Sequence, residues 1–339
     1  MKTVILKQPG EFVFEETPET PLPGPGEVRV RVKHVGICGT DIHAYHGRQP
    51  FFDYPRITGH ELGVITEALG EGVEGLEIGQ RCSIEAYLAQ PGDLAFSRGK
   101  TNCTSTTQCM GVHVDGGMRE LFIVPANKIH TSSLSTEHLA LVEMLCIGNH
   151  AVERATLLGD ETIAVIGAGP IGLGAIQFAR QSGTKVVAVD ISEERLAKCK
   201  ASFPDVETLQ LTPGGESLLE AYVNQFNGRP EVVIECTGNN HSMEAAILLP
   251  DFGGRLVFVG IYDGDINFND PEFHKRELSL IGSRNATAKN FKDVIAQLED
   301  GSVNPDTWIT HHCTAEEFPG LIEEWLKPES GLVKGIVSF

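Results

Sequence analysis

Thr162-Ile163-Ala164-Val165-Ile166-Gly167-Ala168-Gly169-Pro170-Ile171-Gly172 is the stretch whose reading decides the fold of this chain. Its first five residues form a short apolar run suited to a buried strand. The last six match G-x-G-x-x-G where a strand turns into a helix, with Pro170 and Ile171 opening that helix. Three glycines alone are a weak signal, because loops often contain them. A strand before and a helix after supply the missing context: Gly167, Gly169 and Gly172 permit a tight turn and close backbone approach, and the helix N-terminus offers partial positive charge to a pyrophosphate. The next strand ends in Val189-Asp190, 18 residues after Gly172. An acid there accepts hydrogen bonds from an adenosine ribose and repels a 2′-phosphate, which favours NAD over NADP. The plainer alternative is an Asp capping the helix that begins near Ser192.

The pattern extends in both directions. Downstream, strands at 185–189, 231–236, 255–259 and 278–281 alternate with helices near 171–182, 192–202, 241–249 and 288–300. Such alternation means an α/β domain with a doubly wound parallel sheet covered on both faces. A helix at 319–326 and a strand at 335–339 close the chain. Upstream the period changes. Residues 134–158 carry helical apolar spacing, whereas Val28-Arg29-Val30-Arg31-Val32 alternates as a half-buried strand does. Glycine-rich turns at 59–63, 70–79 and 116–117 divide the first part into short strands, as in a barrel-like β unit.

Composition bounds the function. At roughly 150 residues per domain, 339 residues suit two domains. Lys and Arg number 27 against 46 Asp and Glu, and a net charge of −19 argues against nucleic acid as a partner. An anionic substrate would need a locally positive pocket inside that field. No apolar run reaches about 18 residues, and the stretch after Met1 is too short for a signal peptide, so no membrane partner and a cytoplasmic location are expected. The 8 cysteines are scattered with no C-x-x-C pair, as buried thiols or single metal ligands are.

Two segments carry metal chemistry. Cys38-Gly39-Thr40-Asp41-Ile42-His43 and Gly59-His60-Glu61 offer a thiolate, an imidazole and a carboxylate. All three are zinc ligands, and a catalytic site uses three while leaving one position open. A Cys and a His 22 residues apart mean little alone. Joined to the dinucleotide turn, they make the chain resemble the zinc-dependent medium-chain alcohol and polyol dehydrogenases over essentially its whole length. That resemblance implies a β-rich GroES-like catalytic domain at 1–146 and 286–339, and an NAD-binding Rossmann domain at 147–285. It implies zinc on Cys38 and His60, with Glu61 ligating the metal or waiting beside it. Glu143 matches a further acid in or beside the same shell, directly or through water. Thr40 matches the hydroxyl that bonds the substrate alcohol, His43 the histidine that passes its proton to solvent, and Asp41 the carboxylate that orients His60. An imidazole near its ordinary pKa of ~6.5 suits proton release around neutrality.

The chain departs from the family in the lobe that holds a second, structural zinc in many relatives. The four cysteine positions read Gln90, Asp93, Phe96 and Cys103, so one catalytic zinc per chain is expected and the structural site is lost. The glycine three residues beyond the G-H-E acid is Val64, with Gly63 just before it. Within the family, Gln49-Pro50-Phe51-Phe52, Asp270-Pro271-Glu272-Phe273-His274-Lys275 and Gly282-Ser283-Arg284-Asn285-Ala286-Thr287 resemble sugar-acid dehydrogenases acting on L-galactonate-like substrates. The alternative is a polyol such as sorbitol or galactitol, or L-threonine. A sugar acid brings a carboxylate, and Arg284 and Arg56 are the candidates to grip it. Arg284 could equally pack on the cofactor or pair with Glu143 or Glu61. Phe51 and Phe52 wall the pocket or fill the core, and His113, His150, His311 and His312 read as structural. The apolar 255–259 strand could pair edge to edge with a twin, giving a homodimer or homotetramer.

Overall fold

The alternation at Val28–Val32 sits in the strand around which the β-rich part is built. The computed structural model describes all 339 residues. In chain order it begins with β1 (Lys2–Gln8), β2 (Glu11–Glu16), β3 (Glu27–Gly36), α1 (Gly39–Tyr45), β4 (Glu61–Leu69), β5 (Arg81–Ile84) and β6 (Tyr87–Leu88). There follow α2 (Leu94–Ser97), β7 (Gln108–Cys109), β8 (Leu121–Pro125), β9 (Ile129–Thr131), α3 (Thr136–Leu139) and α4 (Val142–Ala155). The middle of the chain gives β10 (Thr162–Ile166), α5 (Pro170–Gln181), β11 (Lys185–Asp190), α6 (Glu193–Ser202), β12 (Glu207–Gln210), α7 (Leu218–Phe226) and β13 (Val232–Glu235). Then come α8 (Asn240–Ile247), β14 (Arg255–Phe258), α9 (Asp270–Lys275), β15 (Ser279–Gly282), α10 (Ala288–Glu299), β16 (Ile309–Thr314), α11 (Phe318–Trp325) and β17 (Lys334–Ser338). These elements form two compact units, Met1–Met144 with Ala286–Phe339, and Leu145–Asn285.

In the first unit Val28, Val30 and Val32 point into the core while the arginines between them stay partly exposed. The sheet runs β16-β17-β3-β4-β5-β9, with β8 also on β3. Register matters for the site. Gly36 pairs with Glu61 across β3 and β4, and Ile336 of β17 pairs with Gly36 on the other side. The Ile37 N–H donates to the Gly335 carbonyl at 2.9 Å. Three strands remote in sequence therefore meet where β3 ends.

The second unit is a parallel sheet in the order β12-β11-β10-β13-β14-β15. Its order reverses beside β10, the strand that feeds the glycine turn, and open α/β sheets bind ligands at such a switch point. β10, β11 and β13 are buried almost throughout, as strands covered on both faces must be.

Several expectations need correction. The helix expected over 134–158 is two helices, with Ala140 and Leu141 outside both. The break places Glu143 in the first turn of α4, where a helix N-terminus favours a carboxylate. The pair β12 and α7 was not anticipated. β12 is an edge strand that fully buries only Leu209, so its apolar pattern is faint. α7 carried a legible signal, the capping box of Ser217 and Glu220. The strand at 255–259 is no edge: β14 pairs with β13 and β15, and the free edges belong to β12 and β15.

Gly63, one residue before the family's glycine position, lies where the Thr136 carbonyl of α3 presses on β4. A Cβ there would sit 1.6 Å from that oxygen. Gly63→Ala should therefore destabilise the chain by about 1–3 kcal/mol, as overpacking does. Urea denaturation measures this, and an unchanged midpoint would mean that α3 is free to shift.

Candidate active site

Cys38 is the N-cap of α1, and its backbone N–H donates to Asp41 Oδ2 at 2.9 Å, so the short helix fixes the direction of the thiol. His60 and Glu61 enter from the start of β4 after Gly59, whose φ of +94° suits glycine. Glu61 is fully buried and His60 nearly so. The ligand atoms of Cys38, His60 and Glu61 all lie within 4.8 Å of one another. That gathers a thiol, an imidazole and a carboxylate, all ligands that zinc takes, around one point.

Asp41 does not hydrogen-bond His60 as expected. Oδ1 stands 3.9 Å from Nδ1, and both buried atoms lack a partner. Two unsatisfied polar atoms behind a cluster of thiolate, imidazole and carboxylate are what a charged guest would resolve, and the donor set suits zinc. Burial opposes protonation of His60, yet the Cys38 thiolate and Asp41 push its pKa well above the ordinary value.

The two acids are held by different partners. Both Glu61 oxygens accept from Lys334 Nζ, at 2.7 and 2.6 Å, and the same ammonium donates to the Ile37 carbonyl at 3.0 Å. Lys334 is 2% exposed. Burial works against its charge, but Glu61 and then Cys38 hold its pKa above the usual lysine value. The cation beside Glu61 is thus a lysine from the last strand, which no local pattern marks; only the register of β17 on β3 brings it there. Gly36 does carry a signal, because a Cβ there would come 2.2 Å from Glu61 Oε2. Glu143 is buried as well, and the Tyr87 hydroxyl donates to its Oε1. Burial raises the Glu143 pKa, with Glu61 adding to it and His60 opposing. Cys109 of β7, half-buried, lies beside this centre. Its thiol is pushed up to about 12 by burial, against the opposing influence of His60.

Thr40 and His43 lie three residues apart on α1 and so share a face. Partial desolvation, then Arg48 and His46, lower the His43 pKa, which leaves the ring neutral at pH 7 and able to accept a proton. Arg56 is engaged elsewhere: its Nη1 lies 3.5 Å from Asp115, and its backbone bridges Leu6 of β1. Arg284 is exposed, just after β15 in the second unit. Phe51 is 58% exposed and stacks on His113, whereas Phe52 packs against the core of the first unit. In the lobe, Asp93 caps α2 through Phe96 N–H at 2.8 Å and accepts from the Ser105 N–H and hydroxyl at 2.6 and 2.9 Å.

The glycine turn is built for close approach. Gly167 has a φ of +95°, and a Cβ on Gly172 would sit 1.7 Å from the Gly167 carbonyl oxygen. Gly169 is the N-cap of α5 and has nothing within 4 Å of a Cβ, an open cradle at a helix N-terminus. Asp190 ends β11 and is already committed on both oxygens, accepting from Ala168 N–H at 2.7 Å and Ser192 N–H at 2.8 Å. The acid therefore ties the turn to β11 and the approach to α6, but it does not cap that helix: the N-cap is Ser192, whose hydroxyl accepts from the Arg195 N–H.

Residues 24–133 match the family described as alcohol dehydrogenase GroES-like domain, and residues 170–300 match zinc-binding dehydrogenase. L-galactonate-5-dehydrogenase of Escherichia coli K12 is 38% identical over 100% of this chain and 99% of its own length. The chain belongs to the zinc-type medium-chain dehydrogenases. Human sorbitol dehydrogenase is 31% identical over 96% of this dehydrogenase and 92% of its own length. A solved short chain alcohol dehydrogenase (rspB) of E. coli CFT073, in complex with NADH, superposes with a TM-score of 0.91 at 29% identity, covering 100% and 99% of the two chains. The dehydrogenase is an oxidoreductase whose fold joins a GroES-like β unit to a parallel α/β unit, and none of its helices is long and apolar enough to cross a membrane.

Tyr87→Phe leaves the buried Glu143 carboxyl without its donor. The variant should lose about 1–3 kcal/mol of stability, the cost of an unsatisfied buried acceptor. Thermal unfolding beside the wild type checks this, and an equal melting temperature would show that Glu143 finds another donor.

Proposed function

We propose that this dehydrogenase uses one zinc ion and NAD to oxidise a secondary hydroxyl of a sugar acid of the L-galactonate type. The observation that carries the reading is the convergence of Cys38, His60 and Glu61 at one buried point in the first unit. Identity of 38% with L-galactonate-5-dehydrogenase over the whole chain supports the substrate class, and 31% identity with human sorbitol dehydrogenase keeps a neutral polyol as the second reading. When bound, zinc would polarise the substrate hydroxyl and the nicotinamide would take up a hydride.

The chain's own residues do the rest. Cys38 and His60 hold the metal, with Glu61 and Glu143 as the carboxylates of its surroundings. Thr40 accepts the substrate hydroxyl proton in a hydrogen bond, and His43, neutral at pH 7, is the base that receives it on the way to solvent. The backbone of Gly167–Gly172 cradles the pyrophosphate at the N-terminus of α5. The acid at Asp190 disfavours a 2′-phosphate and so favours NAD. Arg284 grips the substrate carboxylate through its planar guanidinium, which can meet a carboxylate with two hydrogen bonds. Copies associate as dimers or tetramers in the cytoplasm.

Zinc-loaded enzyme should form NADH with L-galactonate in preference to sorbitol, galactitol and L-threonine, as followed by absorbance. Cys38→Ser and His60→Ala should abolish turnover yet still bind NADH in a fluorescence titration. Arg284→Ala should raise KM for the sugar acid roughly tenfold or more, the worth of a charge-assisted contact, without changing KM for a neutral polyol. A preference for a polyol would keep the mechanism and remove the carboxylate grip; loss of NADH binding in both metal-ligand variants would sink the division of labour.

A further inference from the structure

The first unit buries an ammonium among acids. Facing Lys334 or the metal cluster are Cys38 at the β3–α1 junction, Asp41 from α1, His60 and Glu61 at the start of β4, Cys109 from β7, and Glu143 from α4 with Tyr87 of β6 on it. Cys38, Asp41, Glu61 and Glu143 can together carry up to twice the charge of one divalent ion, and burial already pushes the Asp41 and Glu143 carboxyls up toward their neutral forms. Lys334 is the one lysine or arginine in the group, and all three of its short contacts lie within 3.0 Å.

We propose that Lys334 is a positioning residue for catalysis. Its fixed positive charge offsets the surplus of buried carboxylates, so that a substrate hydroxyl at the cluster gives up its proton near neutral pH. This inference rests on the reading of Cys38, His60 and Glu61 as a zinc site. Lys334 acts through Glu61 and the Ile37 carbonyl, and through the field it adds, and not by touching substrate or cofactor. Two consequences have opposite signs. An ammonium beside the cluster repels a cation, so removing it should tighten zinc binding. The same removal makes the cluster more negative, so substrate deprotonation should need a higher pH. A lysine that only propped up the fold would, on removal, loosen zinc and lower activity at every pH alike.

The experiment replaces Lys334 in two backgrounds, as Lys334→Met alone and as Lys334→Met joined to Glu61→Gln, with Glu61→Gln as the second reference. Zinc affinity is measured by competition with a chromophoric chelator, and the pH dependence of kcat with whichever substrate the wild type turns over. In each background loss of the ammonium should raise zinc affinity about tenfold and move the rising limb of kcat upward by about one pH unit, the same tenfold read on a proton. Lys334→Arg should keep both values near those of the wild type. If Lys334→Met alone does not fold because Glu61 is left unpaired, the comparison within the Glu61→Gln background supplies both readings. Weaker zinc binding on losing the ammonium, or a limb that stays in place while kcat falls, would overturn the proposal. A wild-type protein that binds no zinc would overturn the underlying reading as well, which the other outcomes leave intact.

Discussion

A carboxylate and an ammonium share a fully buried contact where β17, β3 and β4 converge, and the first unit depends on it. Removing each ion from water costs several kcal/mol after relaxation, and mutual attraction only repays that when geometry is good. Here both Glu61 oxygens meet Lys334 Nζ at 2.6 and 2.7 Å, and the third contact goes to the main chain beside Cys38. An apolar pair of the same volume would fill the space as well. What the pair adds is chemical: it holds a carboxylate against an ammonium inside the protein, one residue from His60.

The same constraint explains the small residues around it. Gly36 is a glycine because the Glu61 carboxylate occupies the space of its Cβ, and Gly63 because α3 lies on β4. The 111–117 loop runs against Thr58 and Gly59, with Gly117 N–H and Met118 N–H donating to their carbonyls at 2.9 Å each. Phe291 of α10 stacks on His130 and meets Tyr87 edge-on, so the tyrosine that holds Glu143 is braced from the far end of the chain. Away from the centre, Asp93 gathers the ends of its lobe with a carboxylate, joining α2 to Ser105 through three hydrogen bonds.

The second unit works by different means. Its glycine turn is a main-chain feature that leads into the start of α5, and Asp190 at the end of β11 satisfies two N–H groups beside it. Arg255 closes the base of the same unit, pairing with Glu161 at 2.7 Å and donating to the carbonyls of Ala155 and Thr156 at the end of α4. The turn itself requires no residue from far away in sequence to arrive in one exact rotamer, because main chain of this kind is set by local dihedral angles.

That difference separates what the sequence alone determined from what tertiary structure decided. The alternation of strands and helices, the glycine turn, Asp190 and the C-G-T-D and G-H-E segments were legible because each is a short-range pattern whose physics is local. So was the candidate metal set Cys38, His60 and Glu61, once joined to the turn. β12 escaped because an edge strand with one buried residue has little apolar period to read. The strand at 255–259 looked like an edge because apolar content cannot distinguish a strand with one neighbour from a strand with two. Lys334, Tyr87 and the engagement of Arg56 with Asp115 were invisible for a deeper reason. A lysine becomes a buried counter-ion only through the register of one strand against another almost 300 positions away, and register is a property of the folded sheet.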